Sequence, residues 1–379
     1  MNRIALRMLM GDRGKYLGLI FGVTFATHLM SQQVSIFMGI VSRTGNAILD
    51  VRDADIWVMD ERVRFVDEAP PMPDSDLMRV RGVPGVSWAV PLYKGAARAR
   101  LEDGEVRNLM LTGLDDASLV GAPSHLIAGR LDDLRRPDAV ILDTAGYEWM
   151  WGKEPYRLGR TFQINDRRAV LVGVCSVGSP FFSVPQVYTR YSNALRFAPP
   201  ERNAMTYVLA SPRPGEDPRL VAERITEQTG RLALTRSAFF WKTIRYFLSS
   251  TGIPVNFGVT IALGFLVGAA VTGQTLYLFT IENLRQFGAL KAMGVRNGRI
   301  LRMILLQATV VGGLGYGLGV GMTAIFFITT GQVTHLAGLA MTPVAFLGTG
   351  LAVFVIILLT SFISARKVLA LEPAVVFRG

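Results

Sequence analysis

The chain has 379 residues, half of them hydrophobic, with one cysteine and a formal net charge of +11. A lone Cys175 excludes an internal disulfide and any cysteine-cluster metal site. The apolar residues gather toward the two ends of the chain, whereas a soluble fold of this length spreads them through amphipathic elements.

Residues 1–15 carry Arg3, Arg7, Arg13 and Lys15 against Asp12 and read as a cytoplasmic N-terminus. Residues 16–41 contain no Asp, Glu, Lys or Arg. A hydrocarbon core of roughly 30 Å needs about 20 helical residues, so this stretch suits a first transmembrane helix. It is about twice as long as the apolar part of a signal peptide, and no small-residue cleavage site follows it, so we expect an uncleaved anchor. His28, Ser31, Gln32 and Gln33 lie in its outer half, where polar side chains face protein or a wet cavity. Interhelical hydrogen bonding and a gating role are the two alternatives for them.

Residues 42–253 hold 28 basic and 26 acidic residues and alternate short strand and helix patterns without a repeat, which predicts an α+β domain. The first span is expected to continue as helix to about Leu49. Strands are expected at Ala54–Met59, Val86–Pro91, Gly95–Leu101 and Val106–Gly113, the last two joined by a turn at Glu102-Asp103-Gly104-Glu105. Pro70, Pro71 and Pro73 mark a loop, followed by a short helix over Asp74–Val80 capped by Asp74 or Ser75. Further strands fall at Ala139–Leu142, Thr161–Ile164, Ala169–Val174 and Gln186–Thr189, with Asn165-Asp166 as a hairpin turn. Helices are predicted over Asp217–Gly230 and Ser237–Ser250. No Gly/Ser-rich or Pro-rich linker separates this domain from either neighbouring span, so movement of those helices is expected to move it.

Residues 254–281, 303–330 and 343–365 are three more windows without Asp, Glu, Lys or Arg and read as transmembrane helices 2, 3 and 4. Between them lie segment 282–302 and a short external loop, 331–342; a tail follows at 366–379. The N-terminus, the 282–302 segment and the tail carry net charges of +3, +4 and +2. Short loops rich in Lys and Arg stay in the cytoplasm, so these three are expected inside and the α+β domain outside. The fold class is thus membrane α-helical, with four transmembrane helices and a large α+β extracytoplasmic domain inserted between helices 1 and 2. Gly264 and Gly268 stand four apart, as do Gly313, Gly317 and Gly321, and Gly315 and Gly319. Small residues at this interval let helices approach closely in lipid, and four helices enclose little space, so a dimer is the natural unit.

Several chemistries lack support. Gly14-Lys15 precedes Tyr16 and Gly152-Lys153 precedes Glu154, so no phosphate-binding loop is present and ATP is not expected to bind this chain. The histidines stand far apart at 28, 125 and 335, which argues against a zinc site. There is no G-x-S-x-G elbow. Asp115-Asp116 and Asp132-Asp133 sit in polar, turn-like surroundings that suit solvated surface better than acid/base catalysis. No basic stripe interleaved with aromatics suggests nucleic acid.

The segment at 282–302 is the most informative. Leu284, Phe287, Leu290 and Met293 fall near one helical stripe with Arg285, Lys291 and Arg296 around it. Such a helix can lie at the membrane surface and present a firm knob to a cytosolic partner. Glu282, Arg285, Phe287, Gly288, Ala292 and Gly294 also resemble the signature of the FtsX/MacB family of ABC transporter permeases, with Gln286 where that family usually has Glu. Arg366-Lys367 followed by Glu372-Pro373-Ala374 is similar to the family's tail, and the order of one span, a large outer domain and three spans matches its layout. Length and opening sequence look closest to DevC-like members.

The resemblance implies that Glu282, Arg285, Gln286, Phe287, Gly288, Leu290, Lys291, Ala292, Met293 and Gly294 form an ATPase-coupling site. It implies a non-catalytic subunit in the bacterial inner membrane with no cofactor of its own, ATP and Mg²⁺ being bound by a separate ATPase subunit. The expected partners are that ATPase, a second copy of the chain, a periplasmic adaptor and an outer-membrane channel, with export as the activity. The alternative is an FtsX-like signalling subunit that regulates a periplasmic partner such as a cell-wall hydrolase.

Overall fold

The computed structural model describes residues 2–101, 103–178, 184–199, 204–330 and 339–370. Glu102 of the expected turn, most of the 331–342 loop and the Glu372-Pro373-Ala374 tail motif lie outside the described residues. The chain divides into two units, Met1–Gly39 with Gly252–Gly379, and Ile40–Thr251. Helices α1 (Asn2–Gly11) and α2 (Arg13–Arg43) open the chain.

The second unit then runs α3 (Asn46–Leu49), β1 (Ile56–Met59), α4 (Asp74–Arg81), β2 (Val86–Arg100), β3 (Val106–Leu114), β4 (His125–Gly129), β5 (Ala139–Asp143), α5 (Thr144–Trp151), β6 (Thr161–Ile164), β7 (Arg167–Ser176), β8 (Gln186–Arg190), α6 (Tyr191–Phe197), β9 (Tyr207–Pro212), α7 (Pro218–Thr229), β10 (Leu232–Thr235) and α8 (Arg236–Ser250). Its sheet has the order β10-β1-β9-β2-β3-β8-β5-β7-β4, with β6 paired to β2 and β7. β2 joins two lobes: Val86 to Leu92 pair with β9, and Tyr93 to Arg100 with β3.

Sequence pattern suggests two strands separated near Pro91, but β2 is continuous through it. Leu92 turns its carbonyl to the Thr206 N–H at 3.0 Å, so Pro91 turns its missing N–H away from β9. On that side β3 begins pairing only at Tyr93, and a proline is tolerated where no ladder bond is needed.

One core cluster stacks Trp57, Tyr207 and Phe239 with ring centroids 5.2 to 5.9 Å apart; another gathers Tyr93, Tyr147, Phe162 and Phe197 on the second lobe. α4 and α7 share a third cluster with β1, β9 and β10. Pro73, not Asp74 or Ser75, occupies the cap position of α4, and no side chain caps it. Asp76 in its first turn is instead buried and accepts from Arg231 Nε at 2.7 Å, while Arg231 Nη1 donates to the buried Asp60 at 2.8 Å. Asp217 caps α7 by accepting the Arg219 N–H, and Gly230 ends it at a φ of 68°. The Asn165-Asp166 turn has φ of 47° and 61°, the left-handed pair that a tight hairpin demands.

The first unit consists of α1, α2, α9 (Ile253–Glu282), α10 (Leu284–Ala292), α11 (Asn297–Thr330) and α12 (Pro343–Leu369). α9, α11 and α12 are long and apolar enough to cross a membrane. α2 is not among them, because Thr24, Thr27, His28, Ser31, Gln32, Gln33 and Ser35 dilute its hydropathy. It nevertheless packs at the centre of the unit, where Leu19, Val23, Ala26 and Met30 join one cluster with Leu276, Phe279, Val311, Val353 and Ile356. Two of its polar residues bond to neighbouring helices: His28 Nδ1 lies 3.1 Å from Thr323 Oγ1, and Ser31 Oγ donates to Thr349 Oγ1 at 3.1 Å. These are interhelical hydrogen bonds of the kind that hold polar residues inside a bundle.

The glycine stripes divide by face. A Cβ on Gly268 would meet Ala26 at 2.4 Å, and one on Gly264 would meet Met30 at 3.3 Å. On α11, Gly315 and Gly319 seat α2, a Cβ on Gly319 falling 2.7 Å from the Thr24 carbonyl oxygen. Gly313, Gly317 and Gly321 meet nothing within 4 Å in the single chain.

Two outcomes test this packing. Gly319→Leu is expected to lower the thermal unfolding midpoint of the detergent-solubilised protein while Gly317→Leu leaves it in place; equal losses would contradict the seating of α2 on α11. In the second unit, Asp143 is buried while accepting the Gly146 and Gln186 N–H groups at 3.0 and 2.9 Å, and burial pushes its carboxyl up to about 6. The native state therefore holds that proton up to about pH 6 while the unfolded chain releases it near 3.8, so this group's contribution to stability falls as pH rises between those values. Asp143→Asn keeps an acceptor oxygen without the charge, so its unfolding midpoint is expected to gain on wild type as pH is raised from 4 to 7. A difference independent of pH would refute the assignment.

Candidate functional site

α9 ends at Glu282, and Asn283 alone separates it from α10. Asn283 Nδ2 donates back to the Phe279 carbonyl at 2.8 Å, and its own carbonyl accepts the Phe287 N–H at 3.0 Å, so one residue closes one helix and starts the next. Glu282 forms an ion pair with Lys15, which also meets Asp12 at 2.8 Å. The hydrogen bond from Lys15 holds the Asp12 carboxyl below its ordinary value.

α10 is divided into two faces. Phe287, Gly288 and Leu290 are buried, Phe287 completely, against Ala5 of α1, Ile300, Met303 and Ile304 of α11, and Ala365 and Val368 of α12. Lys291 Nζ donates to the Leu369 carbonyl at 2.8 Å, fixing α10 to the end of α12. Gln307 Nε2 donates to the Ala5 carbonyl at 2.8 Å, fixing α1 to α11. Arg285, Gln286, Ala292, Met293 and Gly294 are exposed, as are Arg296 and Arg299 beyond them.

Met293 departs from the expected stripe. It is 72% exposed because it caps α10 and its ψ of 9° carries the chain out of the helix. Gly294 follows at a φ of 84°, a conformation that suits only glycine readily, and its N–H closes on the Lys291 carbonyl at 2.9 Å. The result is an apolar knob held by a tight stop and flanked by arginines. Ten residues expected to act together thus split: Glu282, Phe287, Gly288, Leu290 and Lys291 hold the segment, and the others face outward. Lys15, Ala5 and the Leu369 carbonyl were not foreseen; the apolar residues of α1 at Ala5 and Leu9, four apart beside Arg3 and Arg7, were the available signal.

Residues 258–373 match the FtsX-like permease C-terminal family, and residues 16–228, more than half of the chain, match the MacB-like periplasmic core domain. The chain belongs to the FtsX/MacB family of ABC transporter permeases. An uncharacterized ABC transporter permease of Mycobacterium tuberculosis is 24% identical to this permease over 316 residues, 82% of this chain and 80% of the relative. One from Mycobacterium bovis is 25% identical over 311 residues, with the same two coverages of 82% and 80%. Among solved structures, the extracellular domain of the noncanonic ABC-type transporter YknZ from Gram-positive bacteria covers 48% of this chain and 98% of its own at 18% identity, with a TM-score of 0.35. The periplasmic region of MacB from Actinobacillus actinomycetemcomitans covers 54% and 96% at 17% identity, with a TM-score of 0.36. A permease of this family implies an ATPase partner and is itself generally non-catalytic.

The two faces of α10 are expected to differ in what they contribute to stability. Phe287→Ala is expected to destabilise the permease by about 3 kcal/mol, within the range for emptying a buried aromatic site. Met293→Ala should leave thermal stability within about 0.5 kcal/mol, as surface changes do. Comparable losses in a thermal melt would contradict this division.

Proposed function

We propose that the permease converts the nucleotide cycle of a separate ATPase subunit into movement of its α+β domain outside the cytoplasm, driving export of a substrate across the envelope. The observation that carries the reading is the clamping of α10: its buried face is fixed to α1, α11 and α12, while Arg285, Gln286 and Met293 stand free on the other side. Interiors packed at crystal-like density transmit displacement without yielding, so a push on that outward face moves the helices as a body. Glu282 serves as a positioning residue through its ion pair with Lys15 rather than as a contact to the ATPase.

In this reading α2, α9, α11 and α12 are the four spans of an inner-membrane protein, and the clustering of Arg and Lys near Lys15, Arg296 and Arg366 sets both termini and α10 inside. ATP and Mg²⁺ stay on the ATPase. Two permeases and two ATPases make the working unit, and a periplasmic adaptor and outer-membrane channel receive the substrate. The MacB-like extent of the domain, residues 16–228, favours export over FtsX-like regulation of a wall hydrolase.

Arg285→Glu combined with Met293→Asp is expected to abolish the permease's stimulation of ATP hydrolysis by the reconstituted ATPase, with the melting temperature unchanged. Full stimulation by the double variant would refute the coupling role of this face.

A further inference from the structure

A cleft of about 780 Å³ opens on the second lobe of the sheet, among β2, the β6–β7 turn and α6. Four arginines line it: Arg98 and Arg100 from β2, Arg167 from β7 and Arg196 from α6. Arg100 is held by Asp166 at 3.0 Å and Arg196 by Asp138 at 2.8 Å. Arg98 and Arg167 have no carboxylate within ion-pair distance among the described residues, although the whole outer segment has nearly as many acidic as basic residues, 26 to 28.

The cleft is built rather than incidental. Asn165 accepts the Arg98 N–H at 3.0 Å, donates its own N–H to the Arg98 carbonyl at 2.9 Å, and donates Nδ2 to the Phe197 carbonyl at 2.8 Å. One residue in a left-handed turn, through its side chain and its backbone N–H, thus ties β2 and α6 to the β6–β7 turn. Phe197 forms part of the wall as a buried ring, and Val106, 53% exposed, adds an apolar surface opposite Arg100 in the strand register.

We propose that this cleft docks an acidic, apolar-interspersed segment of a partner protein. Two observations favour a peptide over a small anion. Arg100 and Arg196 keep about half of their side-chain surface exposed, 53% and 52%, in a cleft open to solvent, whereas a small-molecule site buries most of its ligand. Arg98 and Arg100 lie two residues apart on one face of β2, about 7 Å, which is the spacing of alternate carboxylates on an extended chain. Guanidinium forks hold such carboxylates bidentately. The cleft stands apart from the coupling reading and requires neither export nor ATP hydrolysis.

The test uses the full-length permease in nanodiscs of neutral phosphatidylcholine and a fluorescein-labelled peptide alternating glutamate and leucine, followed by anisotropy. Saturable binding is expected, weakened about tenfold by Arg98→Gln with Arg167→Gln, a loss of the size that two partly exposed ion pairs supply. Both positions are exposed, so the melting temperature should hold; Arg98→Lys with Arg167→Lys, which keeps the charge and removes the fork, should fall between. No binding, equal binding of a lysine-leucine peptide, or an affinity unmoved by the glutamine pair would overturn the proposal. Displacement of the peptide by inorganic phosphate at concentrations as low as those of unlabelled peptide would also overturn it, in favour of a small-anion site.

Discussion

The seating of Phe287 between α1, α11 and α12 is the contact that makes α10 part of the packed first unit. Without it, the ten-residue stretch after Glu282 is a basic segment at the end of an apolar helix, free to slide along a membrane surface. With it, α10 becomes the outer face of a packed core, and the Lys291 bond to the Leu369 carbonyl and the Lys15 ion pair to Glu282 fix its two ends. A buried ring supplies most of that energy, since it removes a large apolar area from water. The exposed ion pair at Glu282 contributes little to stability, and Asn283 is the residue that closes α9. The firmness of this segment therefore comes from apolar, hidden contacts, and Arg285, Gln286, Ala292, Met293 and Gly294 are left exposed on its other face.

Periodicity made much of the architecture legible. Charge-free windows located α9, α11 and α12 within a few residues, because lipid-length helices need an unbroken apolar run. Turn chemistry located the Asn165-Asp166 hairpin and the Asp217 and Gly230 ends of α7, where backbone geometry restricts the residue type. Other features were hidden for physical reasons. Pro91 reads as a break, yet the pairing of β2 changes sides there and leaves no donor missing. β9 is buried at four successive residues and shows no alternation, and β10, α5 and α6 run only 4, 8 and 7 residues, too short for a period to register. Met293 continues the apolar spacing of α10 but falls after its last turn, and a spacing rule does not register where the helix ends.

The glycines show the same limit on α11. A four-residue interval runs through both Gly313, Gly317, Gly321 and Gly315, Gly319, and only contact distances tell which of them seats α2. The polar residues of α2 likewise look like a gate in isolation. Two of them, His28 and Ser31, meet Thr323 and Thr349 inside the bundle, so at these positions the polarity of α2 is absorbed by neighbouring helices. In the second unit, the Arg231 bridge between Asp60 and Asp76 joins β10, α4 and the end of β1 across more than 150 residues of chain, a contact that no local pattern announces.

We propose that the outward face of α10 and the α+β domain lie on opposite sides of one membrane. Single cysteines at Met293 and at Leu220, both exposed, can be probed with a membrane-impermeant maleimide on intact spheroplasts, the buried Cys175 serving as the unreactive internal control. The Leu220 position is expected to label at once and the Met293 position only after the membrane is opened. Labelling of both before permeabilisation, or of Met293 alone, would contradict it.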